Sequence, residues 1–276
     1  MAVPERFTPS GLVTLTSDFG TRDGYVGAMK GVLATLAPDL RVVDVAHDVE
    51  PQDVAHGAAV LRTACLWFPP GTVHLAIVDP GVGTERAPIV VRGGRHVFVG
   101  PDNGIFDLVV EALGGVDDCR RIDLAGALAT VLPKNPSTTF HGRDVFAPAA
   151  AAIATGRVAP EDVGPEHRAR RLAFAGVREA SGWVEGRVTH ADRFGNVVTN
   201  LQTAHVRAVT GASGRCEAVL PDGRRLPVVR TYGDVAPGEP LALLGSDGFL
   251  EIAIREGSAR ETLALTSGIA IRVESV

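Results

Sequence analysis

The chain has 276 residues, of which 45% are hydrophobic, so it can bury a sizeable core in one large domain or two smaller ones. Its formal net charge of −5 comes from both signs spread along the sequence, which argues against a nucleic-acid partner. No stretch approaches the roughly 20 apolar residues of a membrane span, and the first ten residues lack the apolar core of a signal peptide. Three widely separated cysteines do not indicate a disulfide framework, so we expect a cytoplasmic protein with no membrane partner.

The first half of the chain alternates between strand and helix patterns. Such alternation is typical of a mainly parallel sheet covered by helices. Strands are predicted over residues 12–16, 41–45 and 72–78, with helix faces of Tyr25, Met29, Val32 and Leu36 and of Val54, Ala58, Leu61 and Cys65 between them. A hairpin over residues 87–92 and 95–100, turning at Gly93-Gly94, and an alanine-rich helix over residues 145–154 complete this half.

The second half consists of short β-like runs separated by Gly, Asp and Pro, and no comparable helix pattern interrupts them. The runs cover residues 183–190, 196–201, 216–220, 226–231, 241–244, 250–254 and 269–273. A polar stretch over residues 159–171 suits a linker. We therefore predict an N-terminal α/β domain over residues 1–175 and a C-terminal domain over residues 176–276, the latter a small β-barrel or sandwich.

Polar clusters follow several of the predicted strands, where open α/β sheets bind ligands. In the first cluster, residues 17–25, Asp18 is suited to accept hydrogen bonds from a ribose diol, although Asp18 or Asp23 is equally suited to cap the next helix. The second cluster, residues 79–86, contains a Gly-x-Gly pattern. It is not a dinucleotide motif, because Arg86 replaces the third glycine and the next segment reads as a strand. Asp79 and Arg86 remain as a carboxylate and a guanidinium on one flexible loop, which is also the pattern of an ordinary ion pair.

The third cluster, residues 137–144, places His141 at the entrance of a helix, where burial and charge tune an imidazole. A histidine there is more often structural, and this applies still more to His47, His56, His74, His96, His167, His190 and His205. The eight histidines lack metal-ligand spacing, so no metal site is expected. In the fourth cluster, residues 192–200, Phe194 is suited to stack on a heterocycle and Asn196 to hydrogen-bond it; the alternative is a β-bulge with a capping Asn.

Taken together and in order, these motifs resemble those of the S-adenosyl-L-methionine hydrolases (adenosine-forming), also called SAM hydroxide adenosyltransferases, which are relatives of fluorinase and chlorinase. The resemblance runs from Thr14 to about Val273. It is carried by TSDFGTRDGYVGAMKG, VDPGVGTER, VGPDNGIF, FHGRDVFAP, DRFGNVVTN and GSDGFLEIAI. The set is highly specific, although each motif alone is weak.

The resemblance implies a role for each matching residue. Asp79, Arg86 and His141 match the family's water-activating residues, and Asp18 matches the carboxylate that grips the ribose hydroxyls. The positions around the methionine part are Asp23 and Tyr25, and those around adenosine are Phe194, Asn196, Tyr232, Ser246, Glu251, Ile254 and Arg255. The family also implies an α/β domain followed by a β-barrel, no cofactor, S-adenosyl-L-methionine as the substrate, and a homotrimer with sites at the subunit interfaces.

Asp79 favours hydrolysis over halogenation. A halogenase of this family would carry an uncharged residue at that position, and a carboxylate in a dry site repels halide. Val82 also lacks the hydroxyl that a fluorinase offers to fluoride. We expect positive charge from Arg86 and His141 to favour hydroxide character in the attacking water, while the residue that takes the proton stays open. The alternatives are a halogenase and a binding protein for adenosine or S-adenosyl-L-methionine without turnover.

Overall fold

The chain folds into two compact units, Met1–Ala173 and Phe174–Val276. The computed structural model describes residues 6–172, 176–210 and 214–276. The domain boundary predicted near residue 175 falls outside the described residues, as do residues 1–5 of the N-terminal segment.

The first unit is built on a six-stranded mixed sheet with the strand order β2-β1-β3-β5-β4-β6. Strands β2, β1, β3 and β5 are parallel neighbours, whereas β4 pairs antiparallel with both β5 and β6. Its strands are β1 Leu12–Ser17, β2 Arg41–Ala46, β3 Val73–Ile77, β4 Pro88–Gly93, β5 His96–Pro101 and β6 Asp118–Arg121. Its helices are α1 Tyr25–Leu36, α2 Val54–Cys65, α3 Asp107–Ala112 and α4 Ala147–Ala154, with a π turn Gly142–Phe146 before α4. The α/β fold class is confirmed.

Helices cover both faces of this sheet. Helices α1 and α4 pack against each other on one face, where every residue of the alanine-rich α4 is buried. On the other face, α2 packs against α3 over a second cluster that includes Phe98 and Phe106. On α1, the predicted Met29 is buried and the predicted Val32 and Leu36 pack partly buried against the core. Tyr25 is instead 50% exposed, and Val26 and Leu33 are buried in addition.

Two predictions for this unit are wrong in detail. The hairpin turns at Gly94-Arg95, both with positive φ, because Gly93 still pairs with His96 in the ladder. The polar stretch 159–171 is not a linker, since its backbone hydrogen-bonds along β6, as in His167 N donating to Cys119 O over 2.9 Å. Val163 is fully buried there, so the segment belongs to the first unit.

The second unit contains a closed seven-stranded barrel, with β7 added outside β8, which confirms the predicted barrel. The order is β14-β10-β11-β12-β13-β9-β8, and pairing of β14 with β8 closes it. Its strands are β7 Arg178–Ala180, β8 Trp183–Ala191, β9 Val197–Gln202, β10 Cys216–Val219, β11 Arg225–Val229, β12 Pro240–Leu244, β13 Phe249–Ile254 and β14 Ala270–Ser275. Two helices that the sequence did not predict, α5 Thr203–Thr210 and α6 Ala259–Leu263, lie between strands. In the described part of the chain, no helix has both the length and the apolar character to cross a membrane.

Candidate active site

The structure brings Asp79, Arg86 and His141 together in the first unit. Asp79 follows β3 by two residues, Arg86 lies at the end of the same loop, and His141 immediately precedes the π turn before α4. Such single-turn π segments recur at functional sites, because they redirect side chains out of a regular helix.

Asp79 and Arg86 form a buried bidentate ion pair. Arg86 Nε donates to both Asp79 Oδ1 and Oδ2 over 3.0 Å, and Arg86 Nη2 donates to Oδ2 as well. Both side chains are only 5% exposed. The two charges therefore neutralise each other within the site, since an unpaired charge there would be strongly disfavoured.

His141 accepts a hydrogen bond from the same guanidinium. Arg86 Nη2 lies 2.9 Å from His141 Nδ1, and because arginine only donates, Nδ1 is the acceptor and the ring proton is on Nε2. Partial burial and the Arg86 charge hold the pKa of His141 below its usual value, although Asp79 and Asp144 act in the opposite direction. His141 is therefore neutral at pH 7 and does not supply the positive charge that we expected from the sequence.

One end of the Arg86 guanidinium makes no hydrogen bond to the described residues. Arg86 Nη1 is buried and has no hydrogen-bond acceptor among the described residues, and its Cζ lies 5.1 Å from the centre of the Phe146 ring. Leaving a buried donor unpaired costs about 1–3 kcal/mol, so such groups are found where function requires them. The two N–H groups on Nη1 are suited to bind a water or a developing oxyanion.

Gly83 allows the loop that carries Asp79 and Arg86 to approach the segment before His141. Its φ is +78°, and a Cβ built there would lie 2.9 Å from Thr138 O. Only glycine adopts this conformation without strain and leaves room for that carbonyl.

Asp18 lies directly after β1, beside the parallel strands that position the other residues. Its Oδ2 accepts a hydrogen bond of 2.8 Å from the backbone N–H of Gln52. Among the neighbouring predicted residues, Asp23 is exposed and Tyr25 is 50% exposed at the start of α1. The Tyr25 ring lies 5.4 Å from that of Phe140, the residue before His141, so α1 and the His141 segment meet through aromatic contacts.

A second polar cluster forms in the barrel unit around the turn that follows β8. Asn196 donates from Nδ2 to Asp192 Oδ2 over 3.0 Å and to Tyr232 Oη over 3.4 Å, and Tyr232 Oη donates to Glu251 Oε2 over 2.9 Å. Burial and the nearby Asp192 charge raise the pKa of Glu251, although the Tyr232 hydrogen bond opposes this. Phe194 projects from the same turn and is 79% exposed.

The remaining predicted barrel residues have different surroundings. Ser246 is exposed in the turn between β12 and β13. Ile254 is 7% exposed and is part of the barrel core. Arg255 donates from Nη1 to Val235 O over 2.8 Å, which ties it to the backbone.

Two contributors were not singled out from the sequence. Asp192 organises the barrel turn, because its Oδ1 accepts from Phe194 N over 2.9 Å and from Asn196 N over 2.8 Å. An Asp at the start of a Gly-containing turn signals this Asx arrangement. Phe146, which packs under Arg86, had no comparable signal. Within the described ranges, no group of three or more His, Cys, Asp or Glu side chains is arranged to hold a metal ion.

Comparison with known families identifies the family of this chain. The chain belongs to the SAM hydroxide adenosyltransferase family: residues 13–164 match its N-terminal domain and residues 186–272 its C-terminal domain. The resemblance stated from the sequence motifs is therefore confirmed.

Among individual proteins, the chain is 45% identical to the (R)-S-adenosyl-L-methionine hydrolase of Thermus thermophilus, covering 95% of this chain and 98% of that protein. It is 42% identical to the hydrolase of the same name from Salinispora tropica, over 96% and 98%. A fluorinase from Actinopolyspora mzabensis is more distant, at 27% identity over 95% and 96%. An uncharacterized conserved protein from Thermotoga maritima has a crystal structure that superposes with a TM-score of 0.85 at 35% identity, covering 95% of this chain and 99% of that one.

Proposed function

We propose that this protein hydrolyses (R)-S-adenosyl-L-methionine to adenosine and L-methionine. The observation that carries the proposal is the buried Asp79, Arg86 and His141 arrangement, in which Arg86 Nη1 has no hydrogen-bond acceptor among the described residues. The relatives at 45% and 42% identity carry the name of this hydrolase, and their name specifies the R form of the substrate, which the sequence motifs did not distinguish.

In the proposed reaction, a water oxygen attacks C5′ of the ribose. The C5′–S bond breaks with its electron pair going to sulfur, so the sulfonium becomes the neutral thioether of methionine and needs no acid. Catalysis therefore has to activate and position the nucleophile. Holding the water in line with the C5′–S bond supplies much of the rate, since proximity alone is worth about 7–11 kcal/mol.

The geometry supports distinct roles for the three residues. Arg86 Nη1 donates to the water oxygen, and the other two donor nitrogens of Arg86 are held by Asp79 and His141. Neutral His141 keeps Nδ1 as an acceptor for Arg86 and so fixes the guanidinium plane. Asp79 holds the guanidinium through Nε and Nη2 and so orients the Nη1 donor, while the proton lost by the attacking water is released to solvent.

The substrate contacts in the proposal are those that the family resemblance implies. Asp18 binds the ribose hydroxyls, and Asp23 and Tyr25 lie along the methionine part. Asn196 donates both N–H groups inside its cluster, so its amide oxygen accepts from the ligand. The other adenosine contacts in the proposal are Phe194, Tyr232, Ser246, Glu251, Ile254 and Arg255.

We further propose that the enzyme is a cytoplasmic homotrimer, with each site completed between neighbouring subunits, and that it needs no cofactor. Its three cysteines are buried and unpaired, as suits a reducing compartment. Multi-angle light scattering on the purified protein is expected to give about three times the 28.8 kDa chain mass, and activity is expected to survive EDTA. A monomer mass or EDTA inactivation would contradict these two statements.

The direct test is to incubate the purified protein with each sulfonium epimer and to quantify adenosine and methionine. We expect turnover of the R epimer. Parallel reactions with chloride or fluoride test the halogenase alternative, which predicts a 5′-halogenated nucleoside. Adenosine binding without turnover of either epimer would instead identify a binding protein.

A control variant separates the catalytic effect of losing Asp79 from the general effect of breaking an Asp–Arg ion pair. Asp118 and Arg120 form a second bidentate pair in the same unit, with both Nε to carboxylate distances at 3.0 Å. Asp79→Asn is expected to abolish most turnover, whereas Asp118→Asn retains it. Equal activity of the two variants would remove Asp79 from the mechanism.

A further inference from the structure

Three contacts join the segment after β2 to the last residue of β1 and the loop that follows it, and together they bracket Asp18. Ser17 Oγ lies 2.8 Å from His47 Nδ1, and Gly20 N donates to His47 O over 2.7 Å. Between them, Asp18 Oδ2 accepts from Gln52 N. His47 thus holds the residues on both sides of Asp18, once through its ring and once through its backbone.

The His47 ring is itself fixed from its other side. His47 Nε2 lies 3.1 Å from Asp44 Oδ1. The two atoms are close enough for electrostatic attraction, but their geometry is not that of a hydrogen bond. Asp44 Oδ2 pairs with Lys30 Nζ at 2.6 Å. Burial raises the pKa of Asp44, but the hydrogen bond and charge of Lys30 and the nearby His47 outweigh this, so its pKa is lowered and it remains ionised.

The contact between Ser17 and His47 is shielded from solvent. Ser17 Oγ also accepts from Phe19 N over 3.4 Å, so the hydroxyl links the His47 ring to the backbone that follows Asp18. Ser17 is fully buried and His47 is 6% exposed, so water does not compete for this contact.

We infer that His47 is a positioning residue that acts through Ser17 and Gly20 to present the Asp18 carboxylate to the ribose diol of the substrate. The inference rests on the proposed function, because the ribose contact of Asp18 is part of that proposal. Its physical basis is preorganisation: a carboxylate fixed at the right distance binds two hydroxyls without first losing conformational freedom.

The test compares adenosine with 2′,3′-dideoxyadenosine, which lacks both ribose hydroxyls. Calorimetric titration of His47→Ala is expected to show adenosine binding weakened by about 10- to 100-fold. Binding of dideoxyadenosine is expected to stay within about twofold of wild type. A merely structural role would weaken both nucleosides alike, and that result would overturn the inference.

A double-mutant cycle adds a readout of the coupling to Asp18. In an Asp18→Ala background, His47→Ala is expected to cause no further loss of adenosine affinity, since the group it positions is gone. A full second loss in that background would contradict the inference. His47→Asn returns a side-chain hydrogen-bonding group near the Nδ1 position, so it is expected to restore part of the preference for adenosine over dideoxyadenosine. A folded His47→Asn variant without that preference would count against the inference.

Two further variants serve as a substitute and as a control for His47→Ala in the binding test. Ser17→Ala removes one hydroxyl and is expected to reproduce the ribose-specific loss, so it carries the test if His47→Ala does not fold. His205→Ala, in the barrel unit, is the matched histidine control and is expected to bind both nucleosides as wild type does.

The inference and the proposed function fail in different ways. Ribose discrimination by wild-type protein without hydrolysis would refute the hydrolase and leave the role of His47 standing. Equal wild-type affinity for the two nucleosides would refute the role of Asp18, and the inference with it.

Discussion

At the scale of single residues, Arg86 is the centre of the candidate site. It joins a carboxylate to a neutral imidazole, and its third donor nitrogen is buried without an acceptor in the described part of the chain. Positive charge is thus oriented and partly neutralised before a substrate arrives. This is the arrangement expected of an electrostatically preorganised site, because no large reorganisation is needed during the reaction.

Asp79→Asn tests this balance of charges. The substitution removes the negative partner of a buried guanidinium, which is expected to lower the free energy of unfolding by about 3–5 kcal/mol. It should also lower kcat by about 10²- to 10³-fold, because the Arg86 donor that holds the water loses its orientation. Urea denaturation and single-turnover kinetics measure the two effects, and Asp118→Asn should change both much less. A small kcat effect would show that the reaction does not need Asp79 to orient Arg86.

The pH dependence of activity tests the protonation of His141. Because burial and Arg86 hold the pKa of His141 below 6.5, the neutral ring persists through neutral pH and is lost only on acidification. Protonation would remove the Nδ1 acceptor and add charge beside Arg86. We expect kcat/KM to be constant near pH 7 and to fall below pH 6.5, and we expect this acidic fall to be lost in His141→Gln, which has no titratable ring. A midpoint above 6.5 in wild type would contradict the neutral assignment.

At the scale of elements, the site depends on loops that follow the carboxyl ends of parallel strands. The sheet brings the ends of β1, β2 and β3 to one edge, so Asp18, His47 and Asp79 belong to adjacent loops. The loops are then fixed by contacts between neighbouring segments, as at Gly83 against Thr138 and at His47 against Ser17.

Gly83→Ala tests the loop contact. The new Cβ would meet Thr138 O at 2.9 Å with φ at +78°, so the Asp79 loop must move away from the His141 segment. We expect a loss of about 1–3 kcal/mol in unfolding free energy and a clear fall in kcat/KM. Gly114→Ala is the control, because Gly114 also has positive φ but nothing lies within 4 Å of its added Cβ. Equal losses of activity in both variants would show that the approach of Gly83 to Thr138 does not matter for the site.

The buried pair His74 and His96 predicts how stability of the first unit depends on pH. His74 Nδ1 lies 2.8 Å from Thr14 Oγ1, and its Nε2 lies 3.1 Å from His96 Nδ1. Burial, with His96 adding to it, lowers the pKa of His74 from 6.5 to about 3. The unfolded chain therefore binds an extra proton between those values, so stability present above pH 6.5 is lost as the pH falls through that window.

Denaturation of wild type and His74→Leu from pH 7.5 to 5 measures this effect. We expect a smaller acid-induced loss of unfolding free energy in His74→Leu, although that variant starts less stable because Thr14 and His96 lose a partner. His205→Leu, at a partly exposed position, should follow the wild-type pH slope. An unchanged slope in His74→Leu would contradict the assignment.

At the scale of the whole molecule, the sequence predicted the architecture better than the details. Period-2 and helical patterns located the sheet and barrel strands, because burial imposes those periods directly. Helix α5 was missed because only Val206 and Val209 are buried in it, so packing rather than pattern stabilises it. The segment 159–171 reads as polar, and its docking depends on backbone pairing with β6 that composition does not reveal.

For the candidate site, too, the sequence predicted the residues but not the details of their contacts. Motif order identified the residue types, and the neighbouring strand ends explain why they meet. Other features depend on distances between residues far apart in the chain. They are the neutral state of His141, the unpaired Arg86 Nη1 and the contact of His47 with Ser17. Patterns of single residues do not contain that information.

The central claim is that water attacks C5′ of the substrate. Hydrolysis in ¹⁸O-enriched water, followed by mass spectrometry of the products, tests it most directly. We predict that adenosine gains one ¹⁸O in its 5′-hydroxyl and that methionine is unlabelled. Unlabelled adenosine, or labelled homoserine with methylthioadenosine from attack on the methionine carbon, would contradict the account.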